Sequence, residues 1–186
     1  MNPAARLLRP ETTALVVIDF QEKLVPAIDG IERVLANSKK LIRLAQTLSM
    51  PILLTTQYAK GLGATLPEIA ELVEAEPMDK VCFGCFGDDP FRAALAEATP
   101  HSGTLLLAGI ESHICVAQTA LGAIADGYGV HVAADAVGSR TAENRTAGLE
   151  RMHSAGAVMS TTEMAIYELL GNSSRAEFKQ MLPYLK

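Results

Sequence analysis

The sequence has few cysteines, no excess of basic residues and no long apolar run, and each shortage excludes a class of protein. Three cysteines, Cys82, Cys85 and Cys115, are too few and odd in number for a disulfide framework. A net charge of −5 provides no basic surface for nucleic acid or an anionic membrane. No apolar stretch approaches the roughly 20 residues that a membrane-spanning helix needs. We therefore expect a cytoplasmic protein with free thiols and with neither nucleic acid nor a membrane as its partner.

Common cofactor motifs are also missing. No G-x-G-x-x-G follows the first predicted strand and no P-loop is present, so nothing predicts a nucleotide cofactor. Cys82 and Cys85 form a C-x-x-C pair, but a closed zinc site needs four ligands and the histidines share no ligand spacing. A redox-active C-x-x-C pair typically lies at a strand-to-helix turn. Here "FGDDP" separates the pair from the next helix, which weakens a redox interpretation.

The residues that are present indicate a folded globular protein. Apolar residues make up 49% of the 186 positions and charged residues 20%. A chain of this length buries roughly 70% of its extended surface. We expect one domain over residues 1–186.

Strand and helix patterns alternate along the chain. Short, β-branched apolar runs at 14–19, 52–55, 103–109, 129–135 and 157–160 predict strands buried on both faces. Helical spacing and end signals predict helices at 31–48, 67–74, 89–99, 114–126, 141–154, 162–170 and 174–182. This alternation predicts a doubly wound α/β fold with a parallel sheet, whose functional site lies beyond the carboxyl ends of the strands.

Three residues at or near those ends are candidates for chemistry. Asp19 directly follows an apolar strand, where a carboxylate is either functional or a turn residue. Cys115 lies in the predicted first turn of a helix, where the macrodipole and free N–H groups favour thiolate, although free cysteine is often only a small buried apolar residue. Lys80 is a surface lysine unless a carboxylate and a thiol lie beside it. His113 is the only histidine near this junction, and its role stays open.

The ordered segments "VVIDFQEKL", "LLTTQYAKGLG", "DKVCFGCF", "AGIESHICVAQTALGAIADGYGVHVAADA" and "RMHSAGAVMSTTE" resemble the isochorismatase-like cysteine hydrolase family over about residues 15–182. The resemblance implies a three-layer, Rossmann-like α/β fold with a six-stranded parallel sheet, assembled as a dimer or tetramer. It also implies a catalytic triad of Asp19, Lys80 and Cys115. A cis peptide between Ile110 and Glu111 would point the Glu111 N–H, with that of Cys115, at an oxyanion.

The same resemblance limits the substrate and the metal. The family's nicotinamidases carry an Asp-x-His metal site after the second strand, where this sequence has Gln57 and Tyr58, so we predict no metal and no cofactor. The predicted pocket residues are Gln21, Gln57, Tyr58, Phe83 and Glu111. The leading hypothesis is a metal-independent hydrolase of a small amide, carbamoyl or related carbonyl compound. The alternatives are a catalytically silent oligomeric or interaction protein and a thiol redox sensor using Cys82 and Cys85.

Overall fold

The computed structural model describes residues 7–99 and 103–185, and within them six strands form one all-parallel sheet. The spatial order is β3-β2-β1-β4-β5-β6, and every neighbouring pair is parallel. The strands are β1 (Thr13–Ile18), β2 (Ile52–Gln57), β3 (Met78–Lys80), β4 (Thr104–Ile110), β5 (Gly129–Gly138) and β6 (Val158–Ser160). The predicted parallel α/β fold is confirmed.

Helices connect the strands. The α-helices of the described residues are α1 (Ile31–Thr47), α2 (Ala59–Leu62), α3 (Pro67–Ala70), α4 (Asp89–Ala98), α5 (Ala117–Ala125), α6 (Ala142–Ser154), α7 (Thr162–Leu170) and α8 (Ala176–Met181). Side-chain caps fix three of their starts, because Asp88, Thr141 and Thr161 each accept a hydrogen bond from an N–H of the first turn. None of these helices is long and apolar enough to cross a membrane.

Two apolar cores lie on the two faces of the sheet. Leu15 and Val17 of β1 pack with α1, α7 and α8, whereas Val16 and Ile18 pack with α4, α5 and α6. Because successive side chains of a strand point to opposite faces, a strand covered on both sides reads as one continuous apolar run. The structure therefore has the three layers that the resemblance implies.

Several element bounds differ from the sequence prediction. Strand β3 was not predicted, because Met-Asp-Lys is short and polar and gains its pairing only from β2. Helix α2 lies in a stretch predicted to be loop, α3 ends at Ala70, and α8 begins at Ala176. These short elements depend on tertiary contacts more than on local periodicity.

Strands β1 and β4 lie at the centre of the sheet, where the strand order reverses. From β1 the chain moves towards β3, and from β4 towards β6, which leaves a crevice at their carboxyl ends. Gly109 has φ +136°, and a Cβ there would lie 2.3 Å from the Ile18 carbonyl oxygen. Only glycine lets β4 approach β1 this closely at the edge of the crevice.

Candidate active site

A buried ion pair joins the ends of β1 and β3. The Lys80 Nζ donates to Asp19 Oδ2 at 2.7 Å, and the Thr55 hydroxyl donates to Asp19 Oδ1 at 2.8 Å. Asp19 is 0% exposed and Lys80 is 1% exposed. Asp19 also has φ +55°, a left-handed conformation that Asp tolerates better than most residues. Its carboxylate thus lies beneath the crevice rather than capping a turn in solvent.

The third predicted residue, Cys115, contacts the same pair. It lies in a π-helical turn, Ser112–Val116, between β4 and α5, and the Thr119 hydroxyl donates to its carbonyl at 2.7 Å. The charges of Asp19 and Lys80 both act on the pKa of the Cys115 side chain, so the thiol lies beside the pair. The structure therefore brings Asp19, Lys80 and Cys115 together, although 96 residues separate the first from the last.

The helix-end effect that favours thiolate at Cys115 is outweighed by the surroundings of the thiol. Burial raises the pKa of the Cys115 thiol to about 12, the Asp19 carboxylate adds to this increase, and Lys80 only partly opposes it. The α5 helix begins two residues later, at Ala117, so the local helix argument is outweighed by burial and by a neighbouring negative charge. The raised pKa therefore favours the protonated thiol beside the Asp19 carboxylate.

Lys80 is held in its charged form. Burial by itself lowers the pKa of Lys80, but Asp19 and, to a smaller extent, Cys115 outweigh it, so the pKa lies above its ordinary value. An ammonium group that is buried and paired in this way remains a positive charge beside the thiol at all moderate pH values.

The turn before Cys115 has the backbone conformation that the resemblance implies. The peptide bond between Ile110 and Glu111 is cis. The Glu111 carbonyl accepts from the N–H groups of Ile114 and Val116. The Glu111 carboxylate lies at the end of β4 and accepts two hydrogen bonds from Arg140, at 2.6 and 3.1 Å. Arg140, which the sequence reasoning did not single out, comes two residues after β5.

Gln21 and Gln57, predicted as pocket residues, use their amides within the protein. The Gln21 Nε2 donates to the carbonyls of Gln57 and Gly63, and its Oε1 accepts from the Gln57 N–H. The Gln57 Oε1 accepts from Lys80 at 3.0 Å, and its Nε2 donates to the Val81 carbonyl. The polar atoms of both side chains are therefore bonded to the chain itself.

Two other predicted pocket residues, Tyr58 and Phe83, are exposed to solvent. Tyr58 and Phe83 are half exposed, and Val81, directly after Lys80, is 77% exposed. Tyr58 follows β2 and donates its N–H to the carbonyl of Lys80, which ties this exposed residue to the buried pair. Tyr58 and Phe83 are thus not core side chains.

A chain of hydroxyl groups connects the ends of β4 and β5. The Ser112 and Ser139 hydroxyls share a hydrogen bond, 2.5 Å long, and the Ser139 oxygen lies 2.9 Å from His113 Nδ1. His113 therefore contacts the residue that directly follows β5. Ser139 and Thr55 were also missed, since single hydroxyl residues at strand ends carry no distinctive pattern.

Cys82 and Cys85 have separate surroundings. Cys82 donates to the Gly87 carbonyl, whereas Cys85 is fully buried and its N–H donates to the Thr119 hydroxyl. Burial raises the pKa of Cys85 to about 11. All three cysteines are free, and among the described residues no group of three or more His, Cys, Asp or Glu side chains is placed to hold a metal ion.

The chain is similar to known proteins over nearly its whole length. Residues 13–164 match the sequence profile of the Isochorismatase domain. The secreted isochorismatase effector Isc1 of Phytophthora sojae is 35% identical over 183 residues, covering 96% of this chain and 87% of that protein. The solved structure of the MAR1 ribonuclease of Caenorhabditis elegans has a TM-score of 0.89 and 34% identity, covering 97% and 92% of the two chains. YcaC of Escherichia coli, an octameric hydrolase of unknown specificity, has a TM-score of 0.89 and 25% identity, covering 96% and 90%. Since the Phytophthora relative is secreted, the cytoplasmic location stays a prediction.

Proposed function

Because the chain belongs to the isochorismatase family, as its motifs predicted, we propose that it is a cysteine hydrolase that cleaves a small amide, carbamoyl or related carbonyl compound. Asp19 is the general base, Lys80 the electrostatic partner and Cys115 the nucleophile. The protein needs no metal in this proposal, since a thiol with its own base can attack a carbonyl without one.

One observation carries the proposal: a thiol, a carboxylate and an ammonium group from three different strand ends meet in one buried cluster. The Asp19–Lys80 contact is 2.7 Å long, and the Cys115 thiol lies close enough to both groups for their charges to act on its pKa. A base within hydrogen-bond reach of a nucleophile, itself oriented by a third group, is the arrangement that covalent catalysis requires.

The first half of the reaction forms an acyl-enzyme. As the Cys115 sulfur bonds to the substrate carbonyl carbon, its proton passes to Asp19, and Lys80 stabilises the negative charge that builds on the sulfur. The carbonyl oxygen becomes an oxyanion, which the N–H groups of Glu111 and Cys115 are proposed to stabilise. The raised pKa of the Cys115 thiol fits this scheme, because proton removal then accompanies attack rather than preceding it.

The second half releases the products. The bond from carbon to the leaving nitrogen breaks, and the proton on Asp19 moves to that nitrogen, so ammonia or an amine departs neutral. Water then attacks the thioester, with Asp19 again accepting a proton, and the acid leaves as the thiol is restored. For a carbamoyl substrate, the same steps release carbamate in place of a carboxylate.

The exposed aromatic residues Tyr58 and Phe83 favour a substrate with an uncharged group near the scissile bond. Tyr58 and Phe83 are half exposed beside the buried cluster, and we propose that they contact the substrate. The Glu111 carboxylate is paired with Arg140, so its contribution is through its backbone and through the shape of the turn. Gln21 and Gln57 have their amides engaged and are considered below.

The test is acylation of Cys115 by p-nitrophenyl acetate, followed by mass spectrometry of the peptides. We expect a stoichiometric burst of p-nitrophenol and an acetyl group on Cys115 in the unaltered protein. Cys115→Ala should abolish the burst with its circular dichroism unchanged, and the matched control Cys82→Ala should keep it. A burst that survives Cys115→Ala, or none in the unaltered protein, would refute the proposal, and the latter would favour a catalytically silent protein.

The rival functions find less support. A redox sensor depends on thiolate, whereas burial raises the pKa of Cys85 to about 11. The nematode neighbour is named a ribonuclease, but this chain has a net charge of −5, which opposes binding of an RNA backbone.

We also propose that the protein is a homo-oligomer. The E. coli neighbour is octameric, and this chain exposes Met164 and Tyr167 on one face of α7. Light scattering after size exclusion should give a mass at least twice the monomer's 19.8 kDa. A monomeric mass at micromolar concentration would refute this proposal without affecting the catalytic one.

A further inference from the structure

We infer that Gln57 is a positioning residue of the catalytic cluster, which fixes the Lys80 ammonium opposite Asp19, and that Gln21 in turn fixes Gln57. The inference rests on the proposed function, since it assigns these two amides an inward role in the proposed triad rather than contact with substrate. It names no new reacting group, because neither glutamine touches the nucleophile.

Two acceptors hold the Lys80 ammonium group in place. Its Nζ donates to Asp19 Oδ2 at 2.7 Å and to Gln57 Oε1 at 3.0 Å. An ammonium group on a flexible four-carbon stem has three rotatable donors and no geometry of its own. Two acceptors from two different strand ends therefore determine where the positive charge lies relative to the Cys115 sulfur.

A second hydrogen bond fixes the orientation of the Gln57 side chain. Its Nε2 donates to the carbonyl of Val81, directly after Lys80, at 2.8 Å. Rotating the amide by 180° would place an NH₂ group against the ammonium and leave the Val81 carbonyl without a donor. The side-chain oxygen is therefore held towards Lys80 by the strand end that carries Lys80 itself.

Gln21 braces the main chain of Gln57. Its Oε1 accepts from the Gln57 N–H at 2.7 Å, and its Nε2 donates to the Gln57 carbonyl at 3.1 Å and to the Gly63 carbonyl at 2.8 Å. Gln21 is 0% exposed, and both its amide protons and its oxygen are used. The Gln21 amide thus bonds both the N–H and the carbonyl of Gln57, as pairing with a neighbouring strand would.

A neutral amide suits this position better than a second carboxylate. A glutamate at 57 would add negative charge beside a thiol whose pKa burial and Asp19 already raise, and would compete with Asp19 for the ammonium. A glutamine orients Lys80 and leaves the net charge of the pair unchanged. Gln57 therefore has a role in orientation and not in acid–base chemistry.

The experiment measures how fast iodoacetamide alkylates Cys115 at pH 8, read from the mass of its peptide. The sulfur forms a bond to carbon, iodide leaves, and the thiol proton is lost, so the rate follows the thiolate fraction without any knowledge of the substrate. Gln57→Met keeps the length of the side chain but has no acceptor oxygen. Gln57→Asn shortens the reach by about 1.5 Å and serves if the methionine variant does not fold. Gln180→Met, on the exposed surface of α8, is the matched control.

We expect alkylation of Cys115 to slow by at least about threefold in the Gln57 variants, the change that half a pKa unit produces. The reason is that Lys80 lowers the thiol pKa and loses one of its two acceptors. A purely structural role would loosen the packing, expose the thiol and speed alkylation. An unchanged or faster rate in both variants would overturn the inference.

The same samples separate this inference from the proposed function. If p-nitrophenyl acetate acylates Cys115 and the Gln57 variants alkylate at the rate of Gln180→Met, only the positioning role fails. If the ester never acylates Cys115, the proposed function fails, and the inference fails with it as a statement about catalysis. If Gln57→Met raises the ester concentration needed for half-maximal acylation and leaves the maximal rate intact, Gln57 is a substrate contact and the inference is wrong.

Discussion

Two ion pairs at the same edge of the sheet have nearly the same contact distance and very different surroundings. Lys80 donates to Asp19 at 2.7 Å, and Arg140 donates to Glu111 at 2.6 Å. The first pair is wholly removed from water, whereas the Arg140 side chain is 58% exposed. Each joins strand ends that lie far apart in sequence. What distinguishes the two is therefore burial, not distance.

The difference shows that the contact distance of an ion pair does not by itself determine its contribution to stability or to chemistry. Removing a charge from water costs several kcal/mol, and a buried pair often contributes less to stability than apolar residues of the same volume would. An exposed pair contributes roughly 0–1 kcal/mol. The Asp19–Lys80 pair is therefore poorly explained by stability. Under the proposed function its value is chemical, since a low dielectric strengthens its action on the Cys115 thiol.

The largest effect that would test this comparison comes from Lys80→Met. The variant leaves the Asp19 carboxylate buried without a counter-charge, so we expect a loss of about 3–5 kcal/mol in the free energy of unfolding. Urea denaturation followed by circular dichroism measures it. A loss below about 1 kcal/mol would show that the buried pair behaves like the exposed one.

A double variant separates breaking the pair from replacing it. Asp19→Asn with Lys80→Met removes both charges, and Asn tolerates the φ of +55° at position 19. We expect it to recover most of the stability that Lys80→Met loses, because no uncompensated charge remains. Acylation of Cys115 should stay absent in both variants. A double variant as unstable as the single one would mean that the pair stabilises the fold by itself.

The next effect is a loss of stability at alkaline pH. The pKa values of Cys85 and Cys115 rise from 9.0 to about 11 and about 12 on folding, and that of Lys80 rises above 10.5. A raised folded-state pKa means that the folded protein keeps its proton where the unfolded chain releases it. The corresponding stability is complete below pH 9 and is lost as the pH rises from 9 to 12.

Urea midpoints measured between pH 7 and pH 11 test this dependence. We expect the free energy of unfolding to be flat up to about pH 8.5 and to fall above it. Cys85→Ala removes one of the three groups and should reduce the slope. If stability instead rises above pH 9, the cluster does not favour protonated thiols.

A smaller effect is expected from Arg140→Gln at the exposed pair. Water can solvate the Glu111 carboxylate through the opening that Arg140 leaves, so the cost should be about 1 kcal/mol. The matched variant Glu111→Gln leaves only an exposed guanidinium and should cost less. A loss from Arg140→Gln as large as that from Lys80→Met would remove the distinction between the two pairs.

The fold could be predicted from the sequence where a strand is buried on both faces, because such a strand is a continuous apolar run. The apolar runs of β1 and β4 predicted buried parallel strands, and Asp19 was found because a polar residue after such a strand falls at the carboxyl edge. Lys80 was not found this way. By pattern alone it read as a surface lysine, since β3 is three residues long and takes its place from pairing with β2.

The chemistry of the site depended on contacts that no local pattern carries. The first-turn argument favoured thiolate at Cys115, but burial, and then the charge of Asp19 96 residues earlier in sequence, raise the pKa of the thiol. The brace from Gln21 to Gln57 likewise spans 36 residues. The resemblance to a family implied the proposed triad and the cis bond, whereas periodicity indicated only the edge of the sheet at which to look for them.

The smallest predicted effect concerns an ion pair in which both side chains are exposed to solvent. Lys39 and Glu68 join α1 to α3 with both side chains more than a third exposed, 35% and 45%. Both ends are solvated before and after the contact breaks, and each long side chain regains rotamer freedom. We expect Lys39→Gln to change the free energy of unfolding by less than about 0.5 kcal/mol, and 0.5 M NaCl to reduce this further, because salt screens exposed charges and barely reaches Asp19 and Lys80. Salt titrations of the Lys39→Gln and Lys80→Met variants against the unaltered protein measure both terms. An equal response to salt in the two variants would mean that water reaches the buried pair, and the chemical role assigned to its low dielectric would then fail.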